Sequence, residues 1–527
     1  MSNPSATANI YDEIPYEAHS VAKSHPDRMA TVARLFGLKP KRIDRCRVLE
    51  LGCAMGANLI PMAERHPEST FVGIDYSARQ VETGHAAVER LGLTNIDLKH
   101  LSILDVGAEV GKFDYIITHG VYSWVDSEVR DKILDIVHEH LEPQGIGYVS
   151  FNALPAWHLR GIAREIGFTA SSSDTPPTER VARMRQALQF FLAALAPDNS
   201  PYARLVKTDF DFVTRQSTNY LYHEYFEKTN QPFYVHEFAS HLASHRLQYL
   251  GDAVIETMFA ANLGQKVEHN LLRIASGVIP IEQHMDMLSN RVFRNSLVCL
   301  EDLPLRRHLD FDSLAGLYLA GNVRPVNPAA NFAAVGTESF QTASKGLIST
   351  PTPALKIALA ELGRRWPASI GFEALQSEID AKLAAAGATA PLGIAERRGL
   401  GDNLVQCLAT GVIQAYSEAD SFITAVSARP QASPLARIEA AFGPIVTNRR
   451  HETVVLDQIS QNALVHLDGE HDWQSLLGIL REAVEQGRLS ILKDGLPIAR
   501  HEVLGGILET ALERCLAKIA SNAFLVA

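Results

Sequence analysis

One short run constrains the fold of this chain more than any other. Arg47-Val48-Leu49-Glu50-Leu51 is a β-type stretch that stops at Gly52, and Cys53-Ala54-Met55-Gly56-Ala57-Asn58 then opens a helical pattern. Strand, glycine turn and helix in that order form the first unit of a doubly wound α/β sheet, mostly parallel, whose ligands bind at the carboxyl ends of the strands. Gly52 and Gly56 permit the tight turn and the close approach of a ligand to backbone. Asp75, 25 residues after Glu50, ends a second strand at Gly73-Ile74-Asp75, where an acid accepts hydrogen bonds from both hydroxyls of a ribose. A dinucleotide fingerprint would instead read GxGxxG and bring a helix N-terminus onto a pyrophosphate. Glu50, standing just before the turn, repels a pyrophosphate and suits a cationic ligand.

Around this unit strands and helices alternate: helix 58–65, strand 70–74, helix 78–91, strands 96–100 and 115–118, helix 128–140 and strand 147–151. The alternation predicts an α/β core over 46–160, preceded by a helical lid over 1–45 with its helix at 16–38. Beyond Trp157 the pattern turns helical, and 161–300 reads as an insertion that completes the core and carries a substrate segment. Within it, 219–238 holds seven aromatics in twenty positions although aromatics are 7% of the chain, so the segment packs an interdomain core or lines a pocket. A polar stretch at 322–331 suggests a boundary. Helices at 352–362, 372–383 and 397–410 with a strand at 412–416 suggest a winged-helix-like module in a middle domain over 301–427. Residues 428–434 read as a linker into a final winged-helix-like domain over 428–527, with a helix at 473–485 and an apolar tail at 522–527.

A chain of 527 residues needs several domains, and 46% hydrophobic with 21% charged residues excludes a disordered, collagen-like or coiled-coil chain. The 60 acidic and 49 basic side chains leave a net charge of -11, which argues against a nucleic-acid partner and favours one that carries positive charge. Neither 352–383 nor the final domain shows a basic recognition helix. The five cysteines form no CxxC pair, which fits a reducing cytoplasm. With neither a basic start followed by an apolar stretch nor a long apolar run, secretion and membrane insertion are not expected.

The residues ELGCAMGAN and GID resemble the cofactor motifs of class I S-adenosylmethionine-dependent methyltransferases. The resemblance implies that Gly52, Ala54 and Gly56 lie along the methionine and ribose of S-adenosyl-L-methionine, that Asp75 binds the ribose, and that Ser102, Ile103 and Leu104 flank the adenine. Glu50, Asn58, Tyr76, His119 and Gly120 complete the expected cofactor set, and Tyr16 with Tyr11 closes over it as a lid or staples the first helix. Ala54 departs from the glycine that many members carry there. A narrower resemblance runs through Phe113 to Val125, Tyr148 to Trp157, Arg291-Val292-Phe293-Arg294 and Val446 to Glu452. It looks like the bacterial protein-lysine methyltransferases that modify rickettsial outer membrane proteins, which join a methyltransferase core to a regulatory segment and further C-terminal domains.

The loop after the fourth strand, His119-Gly120-Val121-Tyr122-Ser123-Trp124, sets two aromatics where the transferable methyl should point, so Tyr122 and Trp124 are the expected catalytic residues. Such a pocket holds a cationic lysine stem by cation–π attraction of about 0.5 to 2 kcal/mol. It must also present a neutral amine although free lysine has a pKa of about 10.4. Trp157, Tyr220, Tyr222 and Tyr225 are the expected substrate-binding residues. The alternative for Tyr122 and Trp124 is core packing. No metal is expected: His223, Glu224, His236 and Glu237 lack HExxH spacing. Asn448-Arg449-Arg450-His451 reads as a capped helix start or solvated turn. Methylation of a protein lysine is the first reading. A small-molecule N- or O-methyltransferase and a non-catalytic scaffold that binds a protein partner remain the alternatives, and the oligomeric state stays open.

Overall fold

The computed structural model describes Ile14, residues 18–490, the backbone of 492–493 and 496–497, and residues 506–527. Tyr11 and Tyr16, the expected lid, lie outside the described residues. The first described α-helix, α1 (Pro26–Leu35), starts later than the sequence predicts, after a single 3-10 turn at Ala22–Ser24. Pro26 has no N–H to continue a helix from behind and holds His25 extended at ψ 133°.

From there the expected alternation is realised. β1 (Arg47–Leu51), α2 (Leu59–Arg65), β2 (Thr70–Asp75), α3 (Ala78–Leu91), β3 (Ile96–His100), β4 (Phe113–Thr118), α4 (Ser127–His140) and β5 (Leu141–Asn152) follow in order. Ser77 caps α3 by accepting from Gln80 N–H, and Gly92 ends it in the left-handed region. The insertion contributes α5 (Trp157–Ala170), α6 (Pro177–Leu195), α7 (Pro201–Thr214), α8 (Thr218–Phe226) and α9 (Val235–Ser244). Two strands that the sequence reading did not assign, β6 (Leu247–Asp252) and β7 (Phe293–Leu300), then return to the sheet.

The sheet has seven strands in the order β3-β2-β1-β4-β5-β7-β6. β1 to β5 run parallel to one another, and β7 runs antiparallel between β5 and β6. Side-chain alternation divides the core: Val48 and Ile117 face a cluster with α1 and α2, while Leu49, Leu51 and Ile116 face one with α4 and α9. The helices α5 to α8 close a third cluster, which Ile14 joins. Arg294, fully buried on β7, donates to both oxygens of Asp286 and to Glu282 Oε2 at 2.6–2.8 Å, tying the sheet to the helix Val278–Ser289.

The first cluster runs without a break into residues 314–415. There the strand Tyr318–Ala320 lies between Ile370–Gly371 and Gln414–Tyr416, beside the helices Pro353–Arg365, Phe372–Ala385 and Ile394–Ala409. The polar stretch after 322 is no open linker, since Val323–Pro325 pairs with Glu338–Thr342. Residues 428–434 are likewise integrated: Gln431 and Ala432 bridge to Asp468 and Leu525, and the apolar tail buries Phe524 and Leu525 in the last cluster. Among the described residues no helix is long and apolar enough to cross a membrane.

The Asn448 to His451 run is not a solvated turn. Arg449 pairs with Glu64 and its carbonyl accepts from Arg65 at 2.5 Å, Arg450 covers Trp366 at 4.4 Å, and His451 Nε2 donates to Asn58 Oδ1 at 2.8 Å. These groups bury because their partners come from α2 and the middle region.

Candidate active site

The turn after β1 is built from three left-handed residues, Gly52 (φ +78°), Ala54 (φ +50°) and Gly56 (φ +76°). Gly52 N–H and Cys53 N–H donate to Ile74 O at 2.8 and 3.1 Å, pinning the turn to β2. A Cβ on Gly52 would stand 2.5 Å from Val121 Cγ2, so glycine is required there twice over. Ala54 keeps the backbone a glycine would adopt, at a cost of about 1–2 kcal/mol. Its N–H donates to Asp75 Oδ2 at 2.7 Å, and Ser77 N–H donates to Asp75 Oδ1 at 2.8 Å. Asp75 is half-buried, and burial raises its carboxyl while these N–H groups hold it down. Each oxygen keeps a lone pair for a hydroxyl.

Glu50 is buried behind the turn. Its Oε1 accepts from Asn58 Nδ2 at 2.8 Å, and its Oε2 has no hydrogen-bond partner among the described residues. Burial pushes this carboxyl up to about 8. Asn58, expected to touch the cofactor, is committed elsewhere: it also donates to Ser24 Oγ, and its Oδ1 accepts from Val21 N–H and His451. It positions Glu50 and joins the N-terminal and C-terminal segments to the turn.

On the far side Tyr76 is exposed at the end of β2, its ring 6.4 Å from that of His100. Ser102 caps the short turn Ile103–Asp105 by accepting from Leu104 N–H, and Leu104 is exposed. Past β4, Gly120 N–H donates to Ser150 Oγ at 2.8 Å and its Cα faces open space. His119 Nδ1 lies 3.0 Å from Tyr148 Oη, and burial lowers the ring to about 4, so it is neutral. The expected residues other than Tyr16 and Asn58 thus ring the carboxyl ends of β1 to β4.

The structure corrects the expectation for Tyr122. Its ring is fully buried, 5.3 and 5.4 Å from those of Phe233 and Phe238, and its hydroxyl bonds His241 Nδ1. The apolar α4–α9 face draws the ring inward, and the neighbouring Val121 is the side chain that meets the Gly52 turn. Trp124 remains half-exposed, edge-on to Trp157 at 5.9 Å. Trp157 is a wall rather than a surface, with Nε1–H donating to Val292 O at 3.0 Å. Tyr222 is likewise buried, stacked on Phe226 in the α5–α8 core.

Beside Trp157 the expected Tyr220 and Tyr225 meet three charged residues not expected at the site, Arg160, Asp209 and Glu224. Arg160 stands 5.8 Å over the Trp157 ring and 3.8 Å from Asp209 Oδ1. Asp209 Oδ2 and Tyr225 Oη are buried with no partner among the described residues. Burial raises Asp209 and Tyr225, pushes Tyr220 up to about 12, and pushes Glu224 up to about 7 against the pull of Arg160. The signal in the sequence is the spacing of Tyr220 and Glu224, which share one face of α8. His223, His236 and Glu237 do not converge: they bond Ile14 O, Gln283 and Tyr234 N–H.

Residues 48–145 match the family description "Methyltransferase domain", 217–300 "Predicted methyltransferase regulatory domain" and 428–524 "PKMT, C-terminal winged helix domain". An uncharacterised protein of Rickettsia prowazekii (strain Madrid E) is 33% identical over 528 residues, covering 99% of this chain and 94% of that protein. The structure of PKMT2 from Rickettsia typhi matches 97% of this chain and 100% of its own, at 29% identity and a TM-score of 0.87. This chain belongs to the rickettsial-type class I S-adenosylmethionine-dependent methyltransferases. The same Rickettsia typhi protein in complex with AdoHcy matches with a TM-score of 0.86 over 97% of this chain. S-adenosylmethionine is the methyltransferase's cofactor, and the residues fit it. The orphaned Glu50 Oε2 offers a buried acceptor for a cationic group, and the Asp75 carboxylate keeps capacity for hydroxyls.

Proposed function

We propose that this methyltransferase modifies lysine side chains of a protein substrate, and that the acceptor enters beside Trp124 and Trp157. The partly buried acids Asp209 and Glu224, with the buried Asp209 Oδ2 and Tyr225 hydroxyl, carry the reading. Two acids face one arginine, which leaves room for a second cation, and orphaned buried acceptors match the donors of an ammonium group. The Trp124–Trp157 pair supplies the aromatic walls that hold its apolar stem. Full-length similarity to PKMT2, C-terminal domain included, supports the same reading.

Bound S-adenosylmethionine supplies a methyl already activated toward a nucleophile. The protein's remaining tasks are alignment and proton removal from the amine. Glu224, poised at about 7, takes the proton that an ammonium must lose. Glu50 and Asp75 hold the cofactor from the turn side, and the partly buried Val121 packs on the Gly52 face. The test is transfer of labelled methyl into a bacterial lysate separated into protein and small-molecule fractions. Label in protein, lost with Trp124→Ala, supports the proposal, and label only in small molecules overturns it.

A further inference from the structure

On one face of the sheet two helices meet with matched pairs four residues apart: Asp131 and Asp135 on α4, and His241 on α9 with His245 at the residue that ends it. We propose that His241, His245 and Asp131 form a site for a divalent transition-metal ion, with Zn2+ the best-fitting ion, which staples α9 to the sheet domain. His241 Nε2 lies 2.7 Å and His245 Nε2 3.6 Å from Asp131 Oδ1, and the three ligand atoms all fall within 4.8 Å of one another. A tetrahedral zinc ion with bonds of ~2.0–2.1 Å separates its ligands by ~3.3 Å, so the side chains need to move little to hold it. Two imidazoles and one carboxylate form a borderline-soft donor set that zinc prefers to magnesium or calcium.

The surroundings strengthen the assignment beyond a chance meeting of surface charges. A ligating histidine is fixed through its other ring nitrogen, and both rings are held in this way. His245 Nδ1 lies 2.8 Å from Asp135 Oδ1, and His241 Nδ1 meets the buried Tyr122 hydroxyl. The two rings are half-buried while Asp131 is half-exposed, which leaves an entry path and a fourth position for water. A neutral imidazole carries one N–H, so metal on Nε2 places that proton on Nδ1. His245 then donates to Asp135, and His241 becomes the donor to Tyr122. Because Tyr122 follows Gly120 by two residues, the ion reaches the loop after β4 through one hydrogen bond. Helix α9 belongs to the segment matched as a regulatory domain. Neither segment alone carries the site: Asp131 and His241 are 110 residues apart in the chain.

The test uses the full chain without a histidine tag, stripped of metal and titrated with zinc chloride by calorimetry, with the melting temperature followed in parallel. Wild type should bind one equivalent and melt higher with zinc. His245→Ala and Asp131→Asn should each weaken binding about tenfold or more and abolish the zinc-dependent rise in melting temperature. His284→Ala, a histidine elsewhere on the surface, should behave as wild type. Should His245→Ala fail to fold, His245→Gln serves in its place. No binding to wild type, or binding that survives both ligand substitutions, would overturn the site.

Discussion

Glu50→Gln separates what the acid proposed to meet the cofactor does for binding from what it costs the fold. Burial moves this carboxyl from the ordinary 4.5 to about 8, so at pH 7 roughly nine molecules in ten hold it protonated. A raised folded value favours the neutral form. The associated stability is therefore complete below about 4.5 and is lost as pH rises through about 8. At about 1.4 kcal/mol per pH unit the interval sets a ceiling of roughly 5 kcal/mol. Glutamine keeps the stem and the acceptor for Asn58 Nδ2 but cannot ionise. The variant should thus lose less stability than wild type between pH 6 and 9 in denaturant titrations. Cofactor binding should show the opposite preference. A cationic group beside Oε2 draws the proton off Glu50, which releases about 0.9 proton per cofactor at pH 7. Calorimetry in two buffers of different ionisation enthalpy counts that proton. In Glu50→Gln the release should vanish and affinity should fall about 10- to 150-fold, the loss of ~1.5–3 kcal/mol for a hydrogen bond to a charged group. An unchanged proton count, or affinity within about twofold of wild type, would refute the assignment.

Three further outcomes are expected. Asp75→Asn removes a charge and one acceptor from the group that bridges Ala54 and Ser77, and should weaken cofactor binding by about 1.5–3 kcal/mol; unchanged affinity by calorimetry would remove Asp75 from the site. Glu224→Gln should lower turnover and abolish a rise in rate as pH climbs through about 7, whereas an unaltered pH–rate profile would acquit Glu224 as proton acceptor. His451 is depressed to about 3 by burial and then Arg65, so the stability of its docked neutral form is full above about 6.5 and is lost as pH falls toward 3. Melting curves of wild type should drop across that window, and His451→Gln should flatten the drop; equal slopes would contradict the docking account.

Local patterns made the core legible. The strand, glycine turn and helix from Arg47 to Arg65 are written in neighbours in sequence, and the glycines at 52 and 56 mark positions where φ is positive. Side-chain direction just past a strand was harder to read. Tyr122 was assigned to the methyl pocket by position, but the α4–α9 face that buries it is built from Phe233 and Phe238, more than a hundred residues later in the chain. Charge misled in the same way at Arg449 and Arg450. Two arginines read as solvated until Glu64, 385 residues away, and Trp366 come to meet them. Strands β6 and β7 escaped notice because their partners lie across a long helical insertion. The acidic cluster at Asp209 and Glu224 needs α7 and α8 to pack before it exists.

The most direct test of lysine methylation is hydrolysis of protein labelled by the enzyme with methyl-labelled S-adenosylmethionine, followed by separation of the amino acids. The account predicts label in N-methylated lysine, lost in Glu224→Gln and Trp124→Ala. Label recovered in another amino acid, with none in lysine, would contradict it.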